Sequence, residues 1–448
     1  MGDWMMTKGL PPGRRPRPLS PLREHLRDTF WFAPTAALVL VLIVWTAAEA
    51  ADSALLEALR SSGDEEAVAE LLGIVNDAKT VVTTVSAAMM TFIGVVFTIS
   101  LVAVQMAAGQ FSPRMVRMFV RSRITKATFA VFLATFVLSL LVLTSYDSHS
   151  DPELVSSIPL VQSVLTLTLV GLSVVLFVLY VNSTLRLMRV GHVVDVVTAE
   201  SLRVVARMPL DTTDGAPPDL GPESDLVAHH GRAGVLRDVD ITRLVRVARR
   251  HGVVLRLIPR VGDFVVPGTP VIAVHGGTVP AGPRESRLRV FVGAERTFHQ
   301  DLGFGLRQLS DIALRALSTS VNDPTTAVQA VDRMVQFLTS VARRPLGTCR
   351  YRDRAGTVRL VQPVPDWTEL VDLAFAEVRM CTGHQAQVTS QVSRRLLAGF
   401  DDLLAVVPPE RRAPLVRHRA LLVEAVERSV PEAADRAFAL RPDRQGIG

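Results

Sequence analysis

Hydrophobic residues are concentrated in four long stretches, at 30–50, 80–106, 127–144 and 159–181. The last three contain no charged residue, and the first is nearly uncharged. A hydrocarbon core about 30 Å thick requires roughly 20 such residues in a helix, and a single segment in lipid satisfies its backbone hydrogen bonds only as a helix. The pattern therefore predicts four transmembrane helices rather than a buried bundle in a soluble protein, and the mean hydropathy of +0.30 agrees with this.

The segments that flank these stretches alternate in charge. Residues 1–29 and the second loop are rich in arginine, whereas the first and third loops are acidic. Because lysine and arginine gather on the cytoplasmic side of membrane proteins, we expect both termini and the second loop in the cytoplasm and the spans in a bacterial plasma membrane. No small-residue cleavage site follows the first span, so we expect no cleaved signal peptide.

Composition excludes several kinds of chemistry. The two cysteines, Cys349 and Cys381, fall in the predicted cytoplasmic part, where disulfides are rare. No lysine follows Lys126, which excludes a phosphate-loop, Schiff-base or carrier lysine there. HExxH, paired CxxC and GxSxG motifs are also missing from the sequence. We therefore expect no enzyme activity, no cofactor and no metal.

The basic pI of about 9.9 indicates a lipid partner more than a nucleic acid. The positive charge flanks the spans and continues through the second half without interleaved aromatic residues, so no nucleic-acid partner is expected. Phe111-Ser112-Pro113 is typical of a helix start, and a short basic amphipathic helix after it would contact anionic inner-leaflet lipids. The alternative is a simple extension of a membrane helix. The predicted lipid contacts are Arg114, Arg117, Arg121 and Arg123.

The second span has a small, polar face. Thr84, Thr91, Thr98 and Gln105 recur every seven residues, and Gly94 lies on the adjacent ridge. A seven-residue repeat keeps one helix face towards a neighbour. This face fits close helix packing within one subunit or the wall of a polar pathway. Since four helices leave little room for a pore, a pathway would require a homo-oligomer.

The remainder of the chain predicts an α+β cytoplasmic domain. We expect a helical extension and a mobile linker at 182–234, with the linker at 211–234. A small β-rich subdomain at 235–295 contains a hairpin that resembles half of a lipoyl-type barrel in shape. A mostly helical part at 296–440 and a tail at 441–448 follow. The predicted fold is thus a polytopic α-helical membrane protein with a cytoplasmic domain that holds a barrel-like hairpin element.

Two long motifs resemble a known family. The run RTFHQDLGFG at 296–305 with DIALRALSTSVNDPTTA at 311–327, and TFIGVVFTISLVAVQMAAGQFSPRMVRMF at 91–119, are similar to a bacterial family of predicted membrane proteins, domain of unknown function 2254. Thr319 and Ser320 depart mildly from its pattern. The resemblance covers most of residues 30–405 and implies four spans and a cytoplasmic domain, and it brings no established activity.

The first motif contains polar residues that allow two interpretations. Asp323 before Pro324 fits a helix N-cap, Asn322 tolerates a left-handed conformation, and Asp311 and Arg315 are spaced to pair on one helix. The functional alternative joins several of these groups in one pocket for a cation or small polar ligand. The candidate residues are Gln300, Asp301, Asp311, Arg315, Asn322 and Asp323.

Three hypotheses follow for function. The first is an oligomeric channel or transport-like protein with the second span facing the pathway and a cytoplasmic regulatory domain. The second is a non-conducting membrane-anchored sensor or scaffold whose cytoplasmic domain binds a small polar ligand, an ion or a protein. An enzyme that acts near the inner leaflet has the least support, because no nucleophile, base and orienting group stand together in the sequence.

Overall fold

The computed structural model describes residues 29, 31–62, 65–110, 122–146, 158–209, 211–215, 219–279, 288, 290–384 and 390–445. The chain divides into two compact units. We call Ser20–Arg189 the membrane domain and Val190–Gly448 the C-terminal domain.

Four helices of the membrane domain are long and apolar enough to cross a bilayer, which confirms the predicted number of spans. They are α1 (Phe32–Ser62), α2 (Glu65–Gln110), α3 (Arg123–Thr144) and α4 (Leu160–Leu187). At 1.5 Å per residue, α1 is about 46 Å long and α2 about 69 Å. Both therefore exceed the hydrocarbon thickness of a bilayer.

The first loop is shorter than predicted. Helix α1 continues to Ser62 and α2 begins at Glu65, so the acidic residues Asp52, Glu57 and Asp77 lie in helices. Charged side chains marked the end of the apolar stretch in the sequence, but they do not end a helix. A helix can leave the lipid and continue, because its backbone hydrogen bonds do not depend on the solvent around it.

Helix α3 is the most buried of the four and packs against α1, α2 and α4. Its side chain Thr135 bonds to Ser173 of α4 at 3.1 Å between the two hydroxyls. In α4, the Tyr180 hydroxyl lies 2.5 Å from the Ser100 hydroxyl of α2 and donates to the Val96 carbonyl at 3.1 Å. Hydroxyls thus join the helices inside the bundle, as is common in membrane proteins.

The C-terminal domain begins with helix α5 and alternates strands with helices. Its helices are α5 (Val190–Arg207), α6 (Ile241–Arg250), α7 (Phe304–Ala316), α8 (Pro324–Val341), α9 (Trp367–His384), α10 (Ser390–Val406), α11 (Arg412–Ser429) and α12 (Ala433–Ala439). Its strands are β1 (Thr212–Asp214), β2 (Glu223–Ala228), β3 (Gly234–Val239), β4 (Val254–Leu257), β5 (Phe264–Val265), β6 (Pro270–His275), β7 (Val290–Gly293), β8 (Gly347–Arg352) and β9 (Val358–Pro363).

These strands form two open sheets. The larger has the order β1-β8-β9-β4-β6-β2, and the smaller has the order β5-β3-β7. All pairs are antiparallel except β4 and β9, where Leu255 lies opposite Leu360. That parallel pair places a strand of the predicted β-rich subdomain beside one from the predicted helical part. Strands β8 and β9, which follow each other in the chain, pair as an antiparallel hairpin.

No closed barrel occurs among the strands that the structure describes. Strand β5 joins the smaller sheet and β6 the larger one, so the turn around Gly268 links two sheets. The prediction of a mobile linker at 211–234 is wrong at β1 and β2, which pair with β8 and β6. The short, polar sequences of β1 and β2 have little intrinsic preference for a strand. Pairing with strands that are distant in sequence holds them in this conformation.

The helices form a layered bundle. Helix α5 packs against α7 and α8, which in turn contact α9 and α10, and α11 contacts both of these. The predicted extension at 182–209 is helical but not continuous, because α4 ends at Leu187 and α5 begins at Val190. At this break the Arg189 N–H donates to the Arg186 carbonyl, a tighter turn that closes the helix.

Candidate functional site

The polar face of α2, defined as Thr84, Thr91, Gly94, Thr98 and Gln105, is exposed on the membrane domain. The opposite side of the helix packs into the bundle through a second seven-residue repeat that is almost entirely apolar. Its buried members are Val75, Val82, Met89, Val96 and Ala103. Within the described part of the chain, the polar face is therefore not hidden inside one subunit.

Local hydrogen bonds satisfy part of this face. The Thr84 hydroxyl donates to the Thr80 carbonyl, and that of Thr98 donates to the Gly94 carbonyl, both at 2.9 Å. A Cβ added at Gly94 would meet nothing within 4 Å. The face is thus small and flat, with hydroxyl oxygens that can still accept hydrogen bonds.

Of the predicted lipid contacts, Arg123 is the first residue of α3 and is exposed. The other three, Arg114, Arg117 and Arg121, lie outside the described residues, as does the predicted helix start at 111–113.

A polar cluster lies where α1, α3 and α4 approach each other near the start of α4. Asp52 of α1 is only 2% exposed, and its carboxylate accepts the backbone N–H groups of Val161 at 2.7 Å and Gln162 at 3.3 Å. Helix α4 begins after Pro159, which has no side-chain cap to offer. Asp52 therefore supplies, from another helix, the acceptor that the first turn of α4 requires.

Two hydroxyls continue this cluster. The Tyr146 hydroxyl lies 2.7 Å from that of Ser163, which donates to the Pro159 carbonyl at 2.5 Å. The ammonium of Lys79 lies 5.5 Å from the centre of the Tyr146 ring, within range of a cation–π contact. Burial raises the pKa of the Tyr146 hydroxyl, so this group remains protonated at neutral pH.

The side chain of Gln162, whose backbone N–H bonds to this carboxylate, is fully buried. Among the described residues, neither its Oε1 nor its Nε2 has a hydrogen-bond partner. Trp45, two helical turns before Asp52, also has a buried indole N–H without a partner in the described part of the chain. Buried polar groups are nearly always paired in proteins, so these two exceptions require an explanation.

This cluster was missed in the sequence, where Asp52 was counted among the acids of the first loop. One local signal could have indicated it. A helix that starts after proline, without Ser, Thr, Asp or Asn as N-cap, requires an acceptor from elsewhere.

In the C-terminal domain, the predicted motif residues Gln300 and Asp301 bind different partners. Gln300 pairs with both backbone groups of Val239, accepting its N–H at 3.1 Å and donating to its carbonyl at 2.9 Å. Asp301 forms a two-point ion pair with Arg296, with Nε–Oδ2 at 2.7 Å and Nη2–Oδ1 at 2.9 Å. Burial raises the pKa of Asp301, while the hydrogen bonds from Arg296 oppose this rise.

The remaining motif residues lie elsewhere on α7 and α8. Asp311 pairs with Arg307 at 2.9 Å, and the predicted partner Arg315 is exposed. Asp323 is confirmed as the N-cap of α8, since it accepts the Thr326 N–H at 3.0 Å. Asn322 has the expected left-handed backbone, with φ of 47°.

The six motif residues do not form one pocket. Asp301 precedes α7 and Asp323 follows it, and a helix of 13 residues spans about 20 Å between them. Among the described residues, no group of three or more His, Cys, Asp or Glu side chains is arranged to hold a metal ion.

A small cleft of about 40 Å³ does lie in the C-terminal domain beside Gln300. Polar groups from β8 and β9 face it, including Tyr351, whose hydroxyl donates to Gln362 Oε1 at 3.1 Å. Cys349 also lines it, and burial raises the pKa of this thiol to about 11. The thiol is therefore un-ionised at neutral pH and a poor nucleophile.

Comparison with known proteins decides the family. A family model described as "Predicted membrane protein (DUF2254)" matches residues 27–398, which include all four spans and both sequence motifs. This chain belongs to that family. The resemblance stated from the motifs is thereby confirmed, and the family description agrees with the four spans.

Relatives of this chain occur in mycobacteria. The chain is 30% identical over 383 residues to the uncharacterized proteins Rv1290c of Mycobacterium tuberculosis and Mb1321c of Mycobacterium bovis. The alignments cover 82% of this chain and 72% of each relative. No solved structure matches the chain significantly.

Proposed function

We propose that this DUF2254 protein is an oligomeric channel or transport-like protein of the bacterial plasma membrane. In this proposal several copies surround a pathway lined by the polar face of α2. The C-terminal domain regulates it from the cytoplasm. The observation that carries the proposal is the exposure of that face, at regular spacing, on a helix whose other side is apolar and buried.

Two features of the membrane domain support an assembly of several copies. Within one copy, buried hydroxyls already join α3 to α4 and α4 to α2, so the polar face of α2 is not needed to hold the four helices together. Small residues allow helices of different subunits to approach closely. A ring of such helices would also present threonine oxygens to a central pathway.

The orientation in this proposal comes from charge. The arginine-rich segments at 1–29 and in the second loop favour the cytoplasmic side. The C-terminal domain follows an even number of spans, so it would lie on that side as well. A compartment-sensitive reporter fused to each terminus tests this, and a periplasmic C-terminus would overturn it.

The central experiment combines mass and flux. Full-length protein in nanodiscs should have an oligomeric mass. In proteoliposomes loaded with salt, it should permit ion or small-solute flux that Thr91→Leu and Thr98→Leu reduce at least about tenfold while the oligomer persists. Val95→Leu and Val102→Ile, at exposed apolar positions of α2, serve as controls. A monomeric mass, or flux indifferent to both threonine substitutions, would refute the proposal.

A non-conducting sensor is the second candidate, and the cleft beside Gln300 favours it. Its volume admits a few water-sized groups, hence a small ion or polar molecule. Under this alternative, a small polar ligand should raise the melting temperature of the full-length protein, and Gln362→Ala should abolish the rise. The same preparation would show no flux.

A further inference from the structure

The buried cluster around Asp52 points to a second site in the membrane domain, separate from the polar face of α2. We propose that Asp52 and Gln162 bind a small monovalent cation such as sodium. This inference does not rest on the proposed pathway, because all of its groups lie where α1, α3 and α4 meet.

The first argument is the state of the carboxylate. Asp52 is 2% exposed, and in the described part of the chain its hydrogen bonds come from the backbone N–H groups of Leu160, Val161 and Gln162, with no ion pair formed. A carboxylate has about four acceptor positions, so about one remains for a ligand. The first turn of α4 favours the charged form, since a helix N-terminus carries partial positive charge. A buried anion without a cationic partner is costly.

The second argument is independent of that charge. Gln162 is 0% exposed, and in the described part of the chain both polar atoms of its side chain have no hydrogen-bond partner. Its own backbone N–H donates to Asp52, so the amide group and the carboxylate belong to neighbouring positions. A buried carbonyl oxygen left unpaired costs stability, and a cation bound beside Asp52 would satisfy it.

The third argument concerns the kind of ion. Calcium takes six to eight oxygen ligands and usually more than one carboxylate. The described residues bring one carboxylate here. Neutral oxygens are offered by the amide of Gln162, on the helix turn that Asp52 caps, and by the Ser163 hydroxyl and its partner Tyr146. One negative charge with neutral oxygens favours a monovalent ion over a divalent one, and the Lys79 ammonium, 5.5 Å from the centre of the Tyr146 ring, adds positive charge to the cluster. The ion would also occupy the position that no backbone donor uses.

Sodium titration of the full-length protein tests the site. At constant ionic strength, with choline chloride replaced by sodium chloride, the melting temperature in nanodiscs should rise by at least about 3 °C between about 1 and 100 mM sodium. Asp52→Asn and Gln162→Leu should abolish this rise. Asparagine caps a helix as well as aspartate does, so the first variant keeps the cap and removes the charge.

Matched controls exist in the same domain. Asp77→Asn changes an exposed acid of α2, and Asn182→Leu changes an exposed amide of α4. Both variants should keep the full sodium response. If Asp52→Asn fails to fold, sodium NMR linewidths of the wild-type protein and of Gln162→Leu replace it, with broadening expected for the wild-type protein only.

Two outcomes would overturn the proposal. One is a wild-type protein whose melting temperature and sodium linewidths are indifferent to sodium. The other is a Gln162→Leu variant that is more stable at every salt concentration and retains the wild-type sodium response, which would mark Asp52 as a cap only. Loss of flux in the α2 variants with an intact sodium response would separate this site from the pathway.

Discussion

Arg296 and Asp301 form a two-point ion pair in which the carboxylate is almost completely buried and the guanidinium is partly exposed. The Gly303 N–H adds a third hydrogen bond to Asp301, at 3.2 Å. These contacts fix the turn before α7, and they occupy the carboxylate oxygens and guanidinium N–H groups to which a ligand would bind. We therefore infer that the pair stabilises the fold.

Removal of one partner should be costly. Asp301→Ala leaves the Arg296 charge without its buried partner, and we expect a loss of about 3 kcal/mol in the free energy of unfolding. Glu200→Ala, which breaks the exposed pair with Arg203, should cost less than about 1 kcal/mol. Chemical denaturation of both variants measures this. Equal losses would contradict the assigned role of Asp301.

Gly262 closes over this ion pair and should not tolerate a side chain. Its φ is +106°, and a Cβ would lie 2.4 Å from Asp301 Oδ2. Gly268 is the matched control, because its φ is +89° and a Cβ there meets nothing within 4 Å. We expect Gly268→Ala to cost about 1 kcal/mol and Gly262→Ala about 3 kcal/mol in unfolding experiments. Similar costs would show that the contact with Asp301 is unimportant.

The Asp323 cap predicts a graded series. Its Oδ1 accepts the Thr326 N–H and its Oδ2 the Thr326 hydroxyl, at 3.0 and 2.5 Å. Asp323→Ala should destabilise the protein by about 1 kcal/mol, and Asp323→Ser or Asp323→Asn should restore most of this loss. Thermal unfolding followed by circular dichroism tests the order. If the asparagine variant were as unstable as the alanine variant, the negative charge of Asp323, and not its capping oxygen, would be the stabilising feature.

Cys349 should be protected from thiol reagents while Cys381 is more accessible. Cys349 is buried and Cys381 partly exposed, so a native-state titration at pH 8 should label one thiol rapidly and a denatured sample two. Rapid labelling of both native thiols would contradict the burial of Cys349.

The raised pKa of the Cys349 thiol makes the free energy of unfolding depend on pH. Its pKa is about 11 in the folded protein, against 9.0 for an unperturbed thiol. The unfolded state therefore loses its proton first, and stability contributed by the neutral thiol is complete below about pH 9 and declines between about pH 9 and 11. Unfolding midpoints across this range should fall more steeply for the wild-type protein than for Cys349→Ala. If the unfolding midpoints of both proteins fell equally with pH, the raised pKa of Cys349 would be contradicted.

Local chemistry made part of this fold predictable. The Asp323-Pro324 pair fixes the start of α8 at Pro324, as expected from the sequence, because cap and proline act within one turn. The four membrane spans were equally predictable, since length and hydropathy define them. In each case the signal and the structure lie in the same short segment.

Non-local contacts account for what the sequence did not predict. The seven-residue repeat of α2 was visible, but its direction depends on the competing apolar repeat through Val82 and Met89. Asp52 meets Val161 across 109 residues of chain. Strand β1 depends on β8 in the same way. Propensity cannot indicate such partners, because neither segment alone carries the information.

The pairing of Thr212 with Cys349 sets an order of events during synthesis. These residues are 137 positions apart, and ribosomes add about 5–20 residues per second. The edge of the larger sheet must therefore wait roughly ten seconds for its neighbour to be translated. During this interval the membrane spans already tether the nascent chain to the bilayer, and the edge of β1 has unpaired backbone groups. We therefore expect chaperones to bind this intermediate, and truncation before β8 to leave the sheet incomplete.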